Sequence, residues 1–215
     1  SGNVGADSTL KIDSLGNLHI SYVDLSQGIL KYAFKSNTAW TVESITSFGT
    51  MWAQSLYLDS SNNPHISYQD SSLTSNLKYA SKNNNVLKIE SINVFSHSIS
   101  DSSLVIDSSD NPYIIYYDHT IKSISFATKP NLNWTTLVAF EIGTNTTDPS
   151  FLLDTHNDIH MKYRENGYLK YATLTPTHIT TTTTTSTSIS TTTETSIMTS
   201  TIITTTTNRI TTTTA

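Results

Sequence analysis

The stretch that decides the fold is Asp59-Ser60-Ser61-Asn62-Asn63-Pro64-His65-Ile66-Ser67-Tyr68, followed by Leu77-Lys78-Tyr79-Ala80. Its parts recur through the chain. Upstream stand Leu10-Lys11-Ile12-Asp13, Asn17-Leu18-His19-Ile20-Ser21-Tyr22, Leu30-Lys31-Tyr32-Ala33 and Trp40-Thr41-Val42-Glu43-Ser44-Ile45. The quoted copy opens with Leu56-Tyr57-Leu58-Asp59 and closes with Val86-Leu87-Lys88-Ile89-Glu90-Ser91-Ile92. A third copy reads Leu104-Val105-Ile106-Asp107, Asn111-Pro112-Tyr113-Ile114-Ile115-Tyr116, Ile124-Ser125-Phe126-Ala127 and Trp134-Thr135-Thr136-Leu137-Val138, with Tyr113 in the His place and Phe126 in the Tyr place. A fourth, shorter copy has Phe151-Leu152-Leu153-Asp154, Ile159-His160-Met161-Lys162-Tyr163 and Leu169-Lys170-Tyr171-Ala172. The spacing is about 47 residues, a period that marks stacked or radial supersecondary units.

Each unit holds four short segments rich in Ile, Val, Tyr, Leu and Trp, bounded by Ser, Asn, Asp, Gly and Pro, and helix signals are absent. That is the pattern of antiparallel strands joined by tight turns. Four strands in such a unit predict an all-β fold: a β-propeller of four blade-like four-stranded repeats over about 8–48, 54–95, 102–142 and 149–175, within a domain spanning 1–175. Residues 176–215 form an extended Thr/Ser-rich tail. Alternation places Leu18, Ile20 and Tyr22 on a packed face and His19 and Ser21 on a wetter one. Asp13, Asp59, Asp107 and Asp154 each precede a turn whose backbone N–H groups a carboxylate can accept.

These phrases resemble those of secreted propeller repeats of the sialidase-like and lectin-like kind, over roughly the first four-fifths of the chain. The resemblance concerns blades and implies no active site. A sialidase needs three Arg around a substrate carboxylate, and the chain has only Arg164 and Arg209. Asp24, Asp70 and Asp118 after the second strands, and Glu43 and Glu90 at the ends of two fourth strands, recur as turn caps do. A glycosidase pair instead needs one raised and one ordinary pKa. His19, His65 and His160 are equivalent by position and read as hydrogen-bonding residues between blades, not as metal ligands. The Asp-Ser-Ser runs lack the alternating oxygens of a calcium loop. No catalytic, cofactor-binding or metal-ligating set is expected, and the chain reads as a non-enzyme.

The 215 residues carry a formal charge of -5 and no Cys, with no basic patch for nucleic acid and no transmembrane segment. The start at Ser1-Gly2-Asn3, without Met, fits a trimmed terminus. The tail has the composition of an O-glycosylated stalk, with candidate acceptors at Thr180, Thr181, Thr182, Thr183, Thr184, Thr185, Thr191, Thr192, Thr193, Thr204, Thr205, Thr206, Thr207, Thr211, Thr212, Thr213 and Thr214. Asn133-Trp134-Thr135 and Asn145-Thr146-Thr147 fit the N-glycosylation pattern at Asn133 and Asn145. Among the aromatics, Trp52 has no repeat counterpart and is the candidate glycan contact.

The fourth unit lacks its fourth strand, expected near residues 178–190, which leaves an open edge for the tail in cis or for a neighbouring subunit. The function expected is therefore an extracellular structural protein: the subunit of a glycosylated surface filament, with self and glycans as partners. The alternatives are a carbohydrate-binding adhesin on a Thr-rich stalk, or a fragment of a larger propeller.

Overall fold

The computed structural model describes residues 3–46, 51–70, 76–92, 94, 99–130, 132–141, 146–156, 158–165, 168–174 and 211–214. Among these there is no helix, and hence none long and apolar enough to cross a membrane. The strands form four antiparallel sheets of four, each a simple meander. The first sheet is β1 (Val4–Ile12), β2 (Leu18–Asp24), β3 (Ile29–Ser36) and β4 (Ala39–Ser44). The second is β5 (Met51–Leu58), β6 (Pro64–Asp70), β7 (Asn76–Asn83) and β8 (Val86–Ile92). The third is β9 (Ile99–Ile106), β10 (Pro112–Asp118), β11 (Ser123–Thr128) and β12 (Thr135–Glu141). The fourth is β13 (Thr146–Leu153), β14 (Ile159–Glu165), β15 (Tyr168–Leu174) and β16 (Thr211–Thr214).

The turn after each first strand repeats because its chemistry does. Asp13 accepts the N–H groups of Leu15 and Asn17 at 2.9 and 2.7 Å, Asp59 those of Ser61 and Asn63, Asp107 those of Ser109 and Asn111, and Asp154 those of His156 and Asp158. The tight turn needs one left-handed residue, and Gly16, Asn62 and Asp110 supply it at φ +81, +65 and +62°. Asn62 and Asp110 also reach back to the preceding turn. Asn62 accepts from Ser14 N and donates to Ser14 Oγ, while Asp110 accepts from Ser60 N and Oγ, so successive sheets are tied at this end.

The sheets stack in chain order like a fan. β1 packs beside β5, β5 beside β9 and β9 beside β13, and no comparable packing returns β13 to β1 among the described residues. Each interface sets one face of a sheet against the opposite face of the next. Val23, Leu30, Tyr32 and Ile45 meet Leu56, Ile66, Tyr68 and Ala80. Leu77, Tyr79 and Ile92 meet Leu104, Ile106, Ile114, Tyr116 and Ala127. Val105, Ile115, Tyr117, Ile124 and Phe126 meet Phe151, Ile159, Met161, Tyr163 and Ala172. Burial of these side chains is the main driving force for the stack.

Two expectations are corrected here. In the first sheet His19 and Ser21 lie on the buried face, while Ile20 and Tyr22 are only half-buried, because the second sheet covers one side and, among the described residues, no sheet packs on the other. The fourth sheet is completed in cis, but by the far end of the tail: Thr211–Thr214 pair with Lys170 to Thr173, well beyond 178–190. Residues 175–210 lie outside the described residues, and with them Thr180–Thr185, Thr191–Thr193 and Thr204–Thr207. Of Thr211–Thr214 the backbone is described and the side chains are not.

Candidate functional site: two grooves between successive sheets

Within each repeat the turn carboxylate begins a relay. Asp13 Oδ2 lies 3.3 Å from His19 Nε2, and His19 Nδ1 lies 2.6 Å from the Tyr32 hydroxyl. Asp59, His65 and Tyr79 repeat it, as do Asp154, His160 and Tyr171. A carboxylate only accepts, so the network assigns the proton to Nε2 and leaves Nδ1 to accept from the tyrosine O–H. Burial would raise the Asp13 carboxyl. Hydrogen bonds from the Asn17 side chain and backbone, from His19 and from Leu15 N–H outweigh burial and hold it at about 2. Burial keeps His65 below its ordinary value despite Asp59, and burial raises the hydroxyls of Tyr32 and Tyr79. All three relays lie within single sheets, so these His residues do not bridge blades as expected. The relay recurs at three separated places, each time tying the turn carboxylate to the strands of its own sheet.

Beside the first two relays a groove opens between sheets. The first, of about 520 Å³, is lined by Tyr32, Phe34 and Glu43 of the first sheet and by Asn62, Asn63 and Lys82 of the second. The next, of about 500 Å³, is lined by Tyr79 of the second sheet and by Asp110, Asn111, Lys129 and Leu132 across and around it. They share one plan. In the repeat register Tyr32 corresponds to Tyr79, Glu43 to Glu90 and Lys82 to Lys129. Lys82 donates to Glu43 across the first groove, and Lys129 donates to both Glu90 oxygens at 2.7 and 2.6 Å across the second. Trp134 Nε1 adds a contact of 3.3 Å to Glu90 and stacks its edge on Tyr79. Burial would raise the Glu90 carboxyl, yet Lys129 and Lys88 bring it below its ordinary value. Glu43 and Glu90 are thus partners between sheets, not the turn caps the sequence suggested. Asp24 and Asp118 do cap: they accept from Ser26 and Thr120 N–H groups at 3.1 and 2.9 Å.

The third interface keeps the packing and loses the plan. Phe126 replaces the tyrosine, Leu137 stands opposite it in the glutamate place, Leu174 takes the lysine place and Tyr113 the histidine place. Recurrence of Lys35, Lys82 and Lys129 was the overlooked sequence signal for these grooves. Among the described residues no group of three or more His, Asp or Glu could hold a metal ion. Asn133 is exposed in the bend between β11 and β12, Asn145 lies outside the described residues, and of Trp52 only the backbone is described, paired with Gln69 on β6.

Fold comparison places the chain in a class of propeller-like all-β proteins. It is similar to the α-L-arabinofuranosidase of Fusarium graminearum, with TM-score 0.56 and 11% identity over 79% of this chain and 62% of that one. It is also similar to a bifunctional GH43-CE protein of Bacteroides eggerthii, with TM-score 0.51 and 10% identity over 81% of this chain and 25% of that one. A xylan β-1,4-xylosidase of Bacillus halodurans C-125 gives 0.50 and 13% over 81% and 38%. The chain therefore spans between 25% and 62% of the lengths of these structures. No protein-family model and no curated protein sequence matches it.

Proposed function

We propose that the chain is a non-enzymatic, extracellular carbohydrate-binding protein: four propeller blades carrying a Thr-rich extension, with neutral sugars seated in the grooves between the first and second and the second and third blades. The observation that carries this is the joint retention of tyrosine, glutamate and lysine at two grooves and their joint loss at the third interface. Ion pairs reached by water contribute little to stability, and among the described residues apolar packing joins the third pair of sheets without one. What Glu43, Lys82, the amides of Asn62 and Asn63 and the rings of Tyr32 and Phe34 around an open space of about 520 Å³ do supply is donors, acceptors and an apolar wall, which suits a polyhydroxylated ring. The arabinofuranosidase and xylosidase activities named for the fold neighbours make pentose-containing glycans the first class to test.

The test is a glycan array followed by calorimetric titration of any hit, on the intact chain and on Glu43→Gln/Lys82→Met and Glu90→Gln/Lys129→Met variants. Binding that each pair of changes reduces and their combination abolishes supports the reading. No binding by the folded protein to any neutral glycan sinks it, and release of aglycone from aryl arabinofuranosides or xylosides would overturn the non-enzymatic part.

A second reading, the glycosylated filament subunit, is favoured by one observation. The strand that completes the fourth sheet comes from the far end of the tail, and a neighbour's tail could make the same backbone pairing. Electron microscopy of the full chain beside a version ending at Leu174 decides it: fibres that need the tail support exchange, and discrete particles in both reject it.

A further inference from the structure

The two grooves open at one end of the stack, side by side. Each is bounded by the turn that follows a first strand, with Asn62 and Asn63 in one and Asp110 and Asn111 in the other. Those turns are held in a row: Asn62 donates to Ser14 Oγ at 2.8 Å, and Ser60 donates to Asp110 at 2.7 Å. What separates the grooves is one sheet thick. Lys82 lines the first groove and its chain neighbour Ser81 lines the second, because successive side chains of β7 point to opposite faces. Lys88, opposite Ser81 on β8, stands with it over the second groove. Sheets packed face to face lie about 10 Å apart, so the grooves repeat at about that interval, which a short oligosaccharide spans.

The ridge between them is polar. Asn83 pairs with Val86, so β7 and β8 are joined by Asn84 and Asn85 alone, and both are left-handed, at φ +49 and +63°. A two-residue hairpin of this kind favours Asn followed by Gly, since glycine adopts that backbone without steric cost. Asn85 keeps a side chain where glycine is the easier choice. Both asparagines are exposed and line the first groove, and the Lys88 side chain on the other flank of the ridge is 62% exposed. The equivalent loop of the third sheet, which bounds the second groove on its far side, presents Pro130 and Leu132 instead. Donors and acceptors therefore crown the crest that lies between two grooves, and apolar side chains the loop beyond them.

We infer that the two grooves are subsites of one binding surface, occupied by a single extended oligosaccharide that crosses the Asn84-Asn85 ridge from the first groove into the second. The inference rests on the proposal that the grooves take sugars, and adds that they take one chain together. Separate sites bind short sugars independently, whereas a chain engaging both makes the second contact intramolecular and gains affinity without a new pocket. Hydroxyls in the middle of the chain meet the amides of Asn84 and Asn85, and its ends reach Lys82 with Glu43 in one groove and Lys129 with Glu90 in the other.

Calorimetric titration of the full 215-residue chain with xylo- and arabino-oligosaccharides of two to eight units tests it. The expected result is two short ligands bound per protein, giving way to one long ligand per protein, with affinity rising about tenfold or more once the ligand spans both grooves. Glu43→Gln/Lys82→Met and Glu90→Gln/Lys129→Met are each expected to abolish that rise while one short ligand still binds at the intact groove. Asn84→Gly with Asn85→Gly keeps the left-handed turn, removes both amides and is expected to weaken binding of the long ligands. Two ligands bound at every length with no gain, a gain that survives either groove's pair of changes, or full long-ligand affinity in the folded glycine variant overturns the inference and leaves sugar binding in place. Absence of binding at every length brings down the pentose reading with it.

Discussion

The interface between the second and third sheets and the one between the third and fourth come from the same repeat, yet their rims differ. In both, a row of aliphatic and aromatic side chains fills the centre: Leu104, Ile114 and Ala127 in one, Phe151, Met161 and Ala172 in the other. At the rim, the first has Tyr79 bonded to His65 and Glu90 bonded to Lys129, and the second has Phe126, Tyr113 and Leu137 in the tyrosine, histidine and glutamate places. The difference teaches that the central rows hold the stack, while the rim is a coupled set. Removing a single member strands a buried donor or acceptor, so the changes come together.

The largest expected effect is one that should not tell the interfaces apart. Met161→Ala and Leu56→Ala each delete a fully buried side chain, the first at the apolar-rimmed interface of the third and fourth sheets and the second at the polar-rimmed interface of the first and second, and each should cost about 2–5 kcal/mol in urea unfolding. Leu10→Ala, the register equivalent of Leu56 on the uncovered face, should change stability by about 0.5 kcal/mol or less when measured on dilute protein. A clear gap between Met161 and Leu56 would break the view that the rows alone carry the packing.

Next in size is the relay. Tyr79→Phe leaves the buried Nδ1 of His65 without its donor and should cost about 1–3 kcal/mol. Adding His65→Tyr copies the pair already present in the third sheet, Tyr113 with Phe126, and should restore much of the loss. A double-mutant cycle from thermal unfolding reads the coupling directly. Additive costs would show that the third sheet's solution depends on its own neighbours and cannot be transplanted.

The repeat, its four strands and its turns were legible because each rests on local chemistry: alternation with period two, an aspartate ahead of the turn, and Gly, Asn or Asp where the backbone turns left-handed. Which face packs was not legible for the first sheet, since His19 and Ser21 become buried only through the arrival of the second sheet. The grooves were half legible. Glu43 and Glu90 were visible as a recurring pair, but their partners Lys82 and Lys129 lie 39 residues on, in the next sheet, and only the stacking brings them together. The completing strand was invisible for a related reason. Runs of Thr are interchangeable in pattern, and nothing local distinguishes Thr211–Thr214 from the runs before it.

A smaller, graded effect follows pH. Hydrogen bonds hold the Asp13 carboxyl at about 2 against an ordinary 3.8, and Asp59 and Asp154 are lowered as well. A depressed folded value means that the stabilisation is complete above the unfolded value and fades as pH falls from about 4 towards 2. His65, also lowered by burial, is neutral when folded, so protons begin to favour unfolding once pH drops below its unfolded value near 6.5. The melting temperature should therefore slip gently from about pH 6.5 and more steeply below pH 4. His65→Tyr combined with Tyr79→Phe should remove the gentle part and keep the steep one.

The smallest expected change in stability is the one that most sharpens the comparison. Lys82 and Glu43 are both partly exposed to solvent, so water screens their pair and Glu43→Gln should shift unfolding by about 0–1 kcal/mol. A purely structural pair would end there. A pair retained for ligand contact has a second readout, because glutamine at 43 loses the charge that orders Lys82 while the groove's volume is preserved. Saccharide binding at the first groove should weaken about tenfold or more with the melting curve nearly unmoved, an amount set by the loss of one charge-assisted hydrogen bond of about 1.5–3 kcal/mol. The matching change at the third interface, Leu137→Gln, should do the reverse: it puts an unpaired amide against Phe126 and Phe151, lowers stability, and leaves binding where it was. If Glu43→Gln and Leu137→Gln instead moved stability and binding in parallel, the two rims would be variants of one packing device and the grooves would have no separate role.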